Sequence, residues 1–60
     1  MPYKLDREEQ QEDGHWVFRF VNPLDRTESL ERVGDDSDRD RIVNVELLTR
    51  EQVEEIGEPA

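Results

Sequence analysis

The chain is 60 residues long, 32% apolar and 42% charged, with no cysteine and with 17 acidic against 8 basic side chains, a formal net charge of −9. This length holds one domain with a thin core, and the lack of cysteine excludes disulfides, thiolate zinc sites, iron–sulfur ligation and thiol nucleophiles. The charge opposes direct binding to nucleic acid or to an anionic membrane, since neither would release counterions to so acidic a surface.

Residues 1–60 read as a single small acidic domain. The opening residues, Met-Pro-Tyr-Lys-Leu-Asp-Arg-Glu-Glu, carry neither a basic stretch nor an apolar one of signal-peptide type, and no segment approaches membrane-spanning length. A cytoplasmic protein is expected. The first predicted strand runs through Tyr3 and Leu5 towards Gln10. Asp13-Gly14 then precedes the aromatic run His15–Asn22, and an Asp-Gly pair before an alternating run is a strong hairpin signal. With these two residues at the centre of a two-residue turn, Glu9 pairs with Phe18 and Leu5 with Asn22. Tyr3, Leu5, Trp16, Phe18 and Phe20 then share one face, and Val17, Arg19 and Val21 the other.

Asn22-Pro23 closes the second strand, because proline cannot donate to a ladder. For residues 24–34 the boundary signals predict a short helix, with Asp25 as N-cap, Glu28 at the capping-box position and Gly34 at the end. A strand here would put Ser29, Glu31 and Val33 on one face, an unconvincing core. Gly34 to Asp40 reads as a hydrated loop, and Arg41–Leu48, rich in β-branched residues, as a third strand. Thr49 and Gln52 form a capping box that opens a helix ending at Gly57, and residues 57–60 are expected to fray. The order strand, strand, helix, strand, helix predicts an α+β fold: about three strands, the third parallel to the second through a crossover, with helices on one face. If residues 24–33 form a strand, an antiparallel meander with a C-terminal helix replaces it.

Three features bear on function. Asp36, Asp38 and Asp40 have the spacing by which a calcium loop offers its first oxygens, and Asn44 falls at the ninth position. Arg41 and Leu47 stand where such a loop needs glycine and a bidentate glutamate, so a weak calcium-binding module is the least supported of the readings, and no metal or other cofactor is expected. Glu51, Glu54, Glu55 and Glu58 step by three and four residues, as one acidic helical stripe would. Together with the loop aspartates they raise the possibility of a nucleic-acid-mimicking inhibitor that occupies the basic groove of a DNA- or RNA-binding protein. Salt adaptation explains the same residues without a partner, because concentrated salt screens the self-repulsion of a carboxylate-covered, halophilic surface. The third feature is the aromatic strand: Trp16, Phe18 and Phe20 are either core or an interaction face completed by a second copy. His15 is the sole histidine and has no recognisable nucleophile beside it, so no catalytic residues are assigned and no enzyme activity is expected. The leading expectation is a non-catalytic interaction or regulatory protein, a homodimer through its sheet or apolar helix faces, with another protein of basic surface as a further partner.

Overall fold

A computed structural model describes residues 2–60. The aromatic hairpin pairs β1 (Pro2–Gln10) with β2 (Trp16–Asn22), but through a longer turn than the sequence predicts. The Gln11 N–H bonds the His15 carbonyl at 2.7 Å, leaving Glu12, Asp13 and Gly14 as a three-residue loop with Gly14 at φ +94°. Near the turn the register is therefore one residue away from the expected one: Glu8 lies opposite Phe18, and Gln10 opposite Trp16. A one-residue slip along the whole strand would turn Tyr3 and Leu5 away from the aromatics. An irregularity at Asp6, between the pairs Leu5–Phe20 and Arg7–Arg19, absorbs the extra residue and returns both to the inner face.

The α+β expectation with a three-stranded sheet is overturned. The chain forms a five-stranded, wholly antiparallel sheet that curls into a half-barrel, with two short helices. The segment predicted as the first helix is instead β3 (Asp25–Gly34), antiparallel to β2. Two side chains divert the supposed helix start into turns. Asn22 Oδ1 accepts the Leu24 N–H at 2.9 Å, and Asp25 Oδ1 accepts the N–H and hydroxyl of Thr27 at 3.2 and 2.6 Å. The inner face of β3 is also not the one that looked unconvincing: Leu30 lies opposite Phe20 and Arg32 opposite Phe18, while Ser29, Glu31 and Val33 face outward.

The aspartate-rich stretch predicted as a loop is α1 (Asp36–Ile42). Asp35 is its N-cap and Asp38 closes a capping box, with backbone N–H to carboxylate bonds of 3.1 and 3.0 Å. Asp36 and Asp38 lie in the first turn and Arg39 and Arg41 in the last, the order the helix dipole favours. The predicted third strand, Arg41–Leu48, fails because its first residues finish this helix. Val43 is the helix C-cap, and only Leu48 and Thr49 pair, as β4, along Pro2 and Tyr3 of β1. The second helix is where the sequence places it, though short: α2 (Arg50–Glu54) opens on the Thr49–Gln52 capping box. The predicted frayed tail contains β5 (Glu58–Pro59), paired with Val33 and Arg32, which gives the sheet order β4-β1-β2-β3-β5.

Both helices cover the inner face. Tyr3, Phe18 and Phe20 form one buried cluster with Ile42, Leu48, Val53 and Ile56, against which Leu5, Trp16 and Leu30 pack. Arg32 ties the C-terminal part to this face. Its Nε donates to the Ile56 carbonyl at 2.7 Å, and its Nη2 to those of Glu54 and Gly57 at 2.7 and 3.0 Å. Those carbonyls lie at and just beyond the end of α2, where the helix can no longer satisfy them. Gly57 has φ +51°, and a Cβ built there would lie 2.0 Å from the Val33 carbonyl oxygen. Its lack of a side chain lets the chain turn into β5.

Candidate interaction surfaces

The aromatic strand divides at Trp16. Phe18 and Phe20 are fully buried, so in this fold they are core and not an available surface. Trp16 is partly exposed at the sheet end beside α1, and its indole stacks on Phe18 with centroids 6.4 Å apart and planes 9° from parallel. Its Nε1–H donates to Asp36 Oδ1 at 2.6 Å, and the Arg39 guanidinium carbon lies 4.8 Å from the ring centroid. Arg39 also donates from Nε and Nη2 to Glu8 Oε1 at 3.3 and 3.0 Å. The register at the turn makes this possible by placing Glu8 on the inner face beside Phe18. The resulting cation–π and ion-pair group anchors α1 across the open end of the half-barrel.

On a helix, the aspartates with calcium-loop spacing do not converge. Residues two apart lie about 200° apart around the axis, so Asp38 points away from Asp36 and Asp40. Asp36 is bonded to Trp16, and Asp38 to the Asp35 N–H. Among the described residues no three His, Cys, Asp or Glu side chains are placed to hold a metal ion. The supposed acidic stripe is also broken up. Glu51 and Glu54 lie in α2, Glu55 is its C-cap and Glu58 belongs to β5, and all four are exposed.

Three carboxyl groups are made more acidic than usual, their pKa values held below the ordinary carboxylate value by hydrogen bonds to the ionised form. Asp35 accepts the Asp38 N–H, Asp13 the backbone and ring of His15, and Asp25 the Thr27 hydroxyl and N–H. Tyr3 is shifted the other way, above its ordinary 10.0, because its hydroxyl donates to the Glu28 carboxylate and is buried. Ionising it would forfeit that bond and set two negative charges together. Each of these groups fastens a turn, a helix start or two strands together. His15 Nδ1 lies 3.1 Å from Asp13 Oδ2 at the rim of an open hollow of about 570 Å³, which no hydroxyl or thiol side chain lines.

Among the described residues two surfaces stand outside the buried core cluster. The first is the segment between α1 and β4, where Val43, Val45 and Leu47 are 50%, 38% and 49% exposed. A shallow groove of about 160 Å³ lies beside it, lined by Ile42, Val45, Leu48 and Ile56 and rimmed by Arg41, Gln52 and Glu55. The strand pattern pointed to this segment, since Val43, Val45 and Leu47 fall at two-residue steps, but it did not show that all three would face solvent. The second surface is the outer face of the sheet, which neither helix covers. The pairings place Lys4, Arg7 and Glu9 of β1, Val17, Arg19 and Val21 of β2, and Ser29, Glu31 and Val33 of β3 on it, with Glu58 of β5 beside Val33.

Among the described residues no helix is long and apolar enough to cross a membrane. The chain matches no protein-family model, and comparison with curated proteins and with solved structures finds no significant match.

Proposed function

We propose that this is a non-catalytic, cytoplasmic protein–protein interaction or regulatory protein that docks a partner on the apolar segment Val43–Leu47. The observation that carries this reading is the exposure of three large aliphatic side chains within five residues of a chain that is 42% charged. They are not leftovers from an unfinished core. The buried cluster of Tyr3, Phe18, Phe20, Ile42, Leu48, Val53 and Ile56 does not include them, and about 40–50% of each is left to solvent. The partner that fits is an apolar side chain or short apolar ridge flanked by basic residues, which would meet the adjoining groove and the exposed Glu46, Glu51 and Glu55.

The test is retention of partners from the protein's own cytoplasm by the wild type and by Val45→Asp and Leu47→Asp. Both positions are exposed, so the variants keep the fold by circular dichroism. The expected result is that each loses the wild type's specific partner. Undiminished capture by both variants overturns the reading.

The acidity has a second reading, as phosphate mimicry. It is supported by exposed carboxylates on α1, α2 and their caps, Asp35, Asp36, Asp40, Glu51, Glu54 and Glu55. A duplex carries one charge per ~1.7 Å, about 19 along the 33 Å length of this molecule, against a net −9 spread over every side of it. This mismatch ranks mimicry below salt adaptation. Circular dichroism over a salt titration separates them. Adaptation gives folding that strengthens towards molar salt, whereas mimicry gives a chain folded at low salt that competes with DNA for a basic groove.

A further inference from the structure

We infer that the outer face of the sheet is the surface through which two copies of this chain associate. Lys4, Arg7 and Arg19 share that face with Glu9, Glu31 and Glu58, three charges of each sign, so the entire net −9 of the chain lies elsewhere on the molecule. Two bodies of like charge meet most cheaply where each is locally neutral, because close approach of any acidic surface adds short-range repulsion to the long-range term.

Local neutrality is joined by self-complementarity. A twofold interface brings one patch against itself, so it needs both signs within the patch, and this face supplies them in equal number. Arg19 stands at its centre, opposite Arg7 on one side and Glu31 on the other. Its guanidinium has no ion-pair partner among the described residues, whereas Arg7 is paired with Glu9 at 2.9 Å. Arg7, Glu9, Val17, Arg19 and Glu31 line a hollow of about 130 Å³ there. Val17 and Val33 are directly paired and only partly buried, and they form the accessible aliphatic part of the face, while Val21 beside them is already buried within the chain. Antiparallel sheets pack face to face by interlocking such side chains. Three strands about 4.8 Å apart and six or seven residues long offer a patch of about 15 by 20 Å, roughly 300 Å² on each copy and below the ~1,200 Å² in all that a stable interface buries, so the association is weak and shows only at high protein concentration.

This surface is separate from the apolar segment of the proposed function, and the two inferences fail independently. The experiment is sedimentation velocity of the full chain at 150 mM salt over a concentration series, with wild type, Arg19→Glu and Arg50→Glu. Both substitutions change the net charge equally. Arg50 is exposed on α2, off the sheet face, and Arg19 is exposed at the centre of it. The expected result is a concentration-dependent wild-type dimer that Arg19→Glu weakens at least tenfold and Arg50→Glu weakens less than threefold. A wild type that stays monomeric to millimolar concentration overturns the proposal, and so does equal weakening by the two variants. Methyl NMR of the wild type over the same series is the second readout. Shifts at Val17, Val21 and Val33 support the proposal, and shifts confined to Val43, Val45 and Leu47 overturn it.

Discussion

Replacing Arg32 by methionine keeps most of the side chain's apolar stem and removes the fork that holds the C-terminal part to the sheet. Three hydrogen bonds from a charged donor are lost, at 2.7, 2.7 and 3.0 Å. Each such bond contributes about 1.5–3 kcal/mol in isolation, but the three share one guanidinium and are not additive. The Glu54 and Gly57 carbonyls are exposed enough for water to replace the arginine, while the bond to the Ile56 carbonyl is partly buried. Leaving that acceptor unpaired costs about 1–3 kcal/mol, and loss of the positive charge at the end of α2 adds about 0.3–1 kcal/mol. The expected loss is about 2–4 kcal/mol. At ~0.05–0.15 kcal/mol per residue, a chain of this length has about 3–9 kcal/mol in all. Arg32→Met should therefore lower the melting temperature by about 10–25 °C, read by circular dichroism or Trp16 fluorescence. Arg32→Lys keeps the charge but cannot span three carbonyls, and should fall between. A loss below about 0.5 kcal/mol for Arg32→Met, or a lysine variant equal to wild type, would refute the claim that this fork closes the fold.

Gly57→Ala should destabilise more than a change of backbone freedom alone, because the new Cβ meets the Val33 carbonyl oxygen at 2.0 Å. Thermal melts should show a loss of more than about 2 kcal/mol, with β5 losing its amide protection first. Thr49→Ala should cost about 1 kcal/mol in a urea titration by removing the side-chain acceptor that starts α2. Asp35 has a folded value below its ordinary 3.8, so its contribution is fully present above that value and is lost as pH falls through the lower one. Asp35→Asn should keep the cap at neutral pH and flatten the loss of stability below pH 4, measured by urea titration across pH. Tyr3 is the sole tyrosine, and its value lies above the ordinary 10.0. Its contribution is present below pH 10 and lost as pH rises through the folded value, so phenolate absorbance should appear together with unfolding and not before it.

Features encoded by local chemistry were legible in the sequence. Thr49 and Gln52 mark the start of α2 because their two reciprocal bonds need nothing beyond four residues. The inner-face set Tyr3, Leu5, Trp16, Phe18 and Phe20 also stands, although the turn and the irregularity at Asp6 each moved the register by one residue, so that Leu5 faces Phe20 and not Asn22 and only the side-chain facing is restored. Several of the misread features have partners far away in sequence. Asp25 and Glu28 look like a capping box, but Glu28 accepts the Tyr3 hydroxyl and Asp25 closes a turn on Thr27. Arg32 on a core face looks wrong until the end of α2, more than twenty residues later, supplies its three carbonyls. The start of α1 carried a readable cap in Asp35 and Asp38, obscured by a polar composition that resembles a loop. The residues of Arg41–Leu48 have strand propensity, but Arg41 and Ile42 are taken by the end of α1 and only Leu48 and Thr49 pair with β1, so Val43, Val45 and Leu47 are left exposed. The balanced outer face was visible only as an alternation of Val17, Arg19 and Val21, and its charge pairing required the register.

The proposed interaction is tested most directly by methyl NMR of the isotope-labelled protein titrated with a protein captured on it from a lysate of its source cells. Broadening and shifts are expected to centre on Val43, Val45 and Leu47, with Ile42, Leu48 and Ile56 of the groove following. Shifts that spare these residues and fall on the exposed carboxylates of α1 and α2 would contradict it.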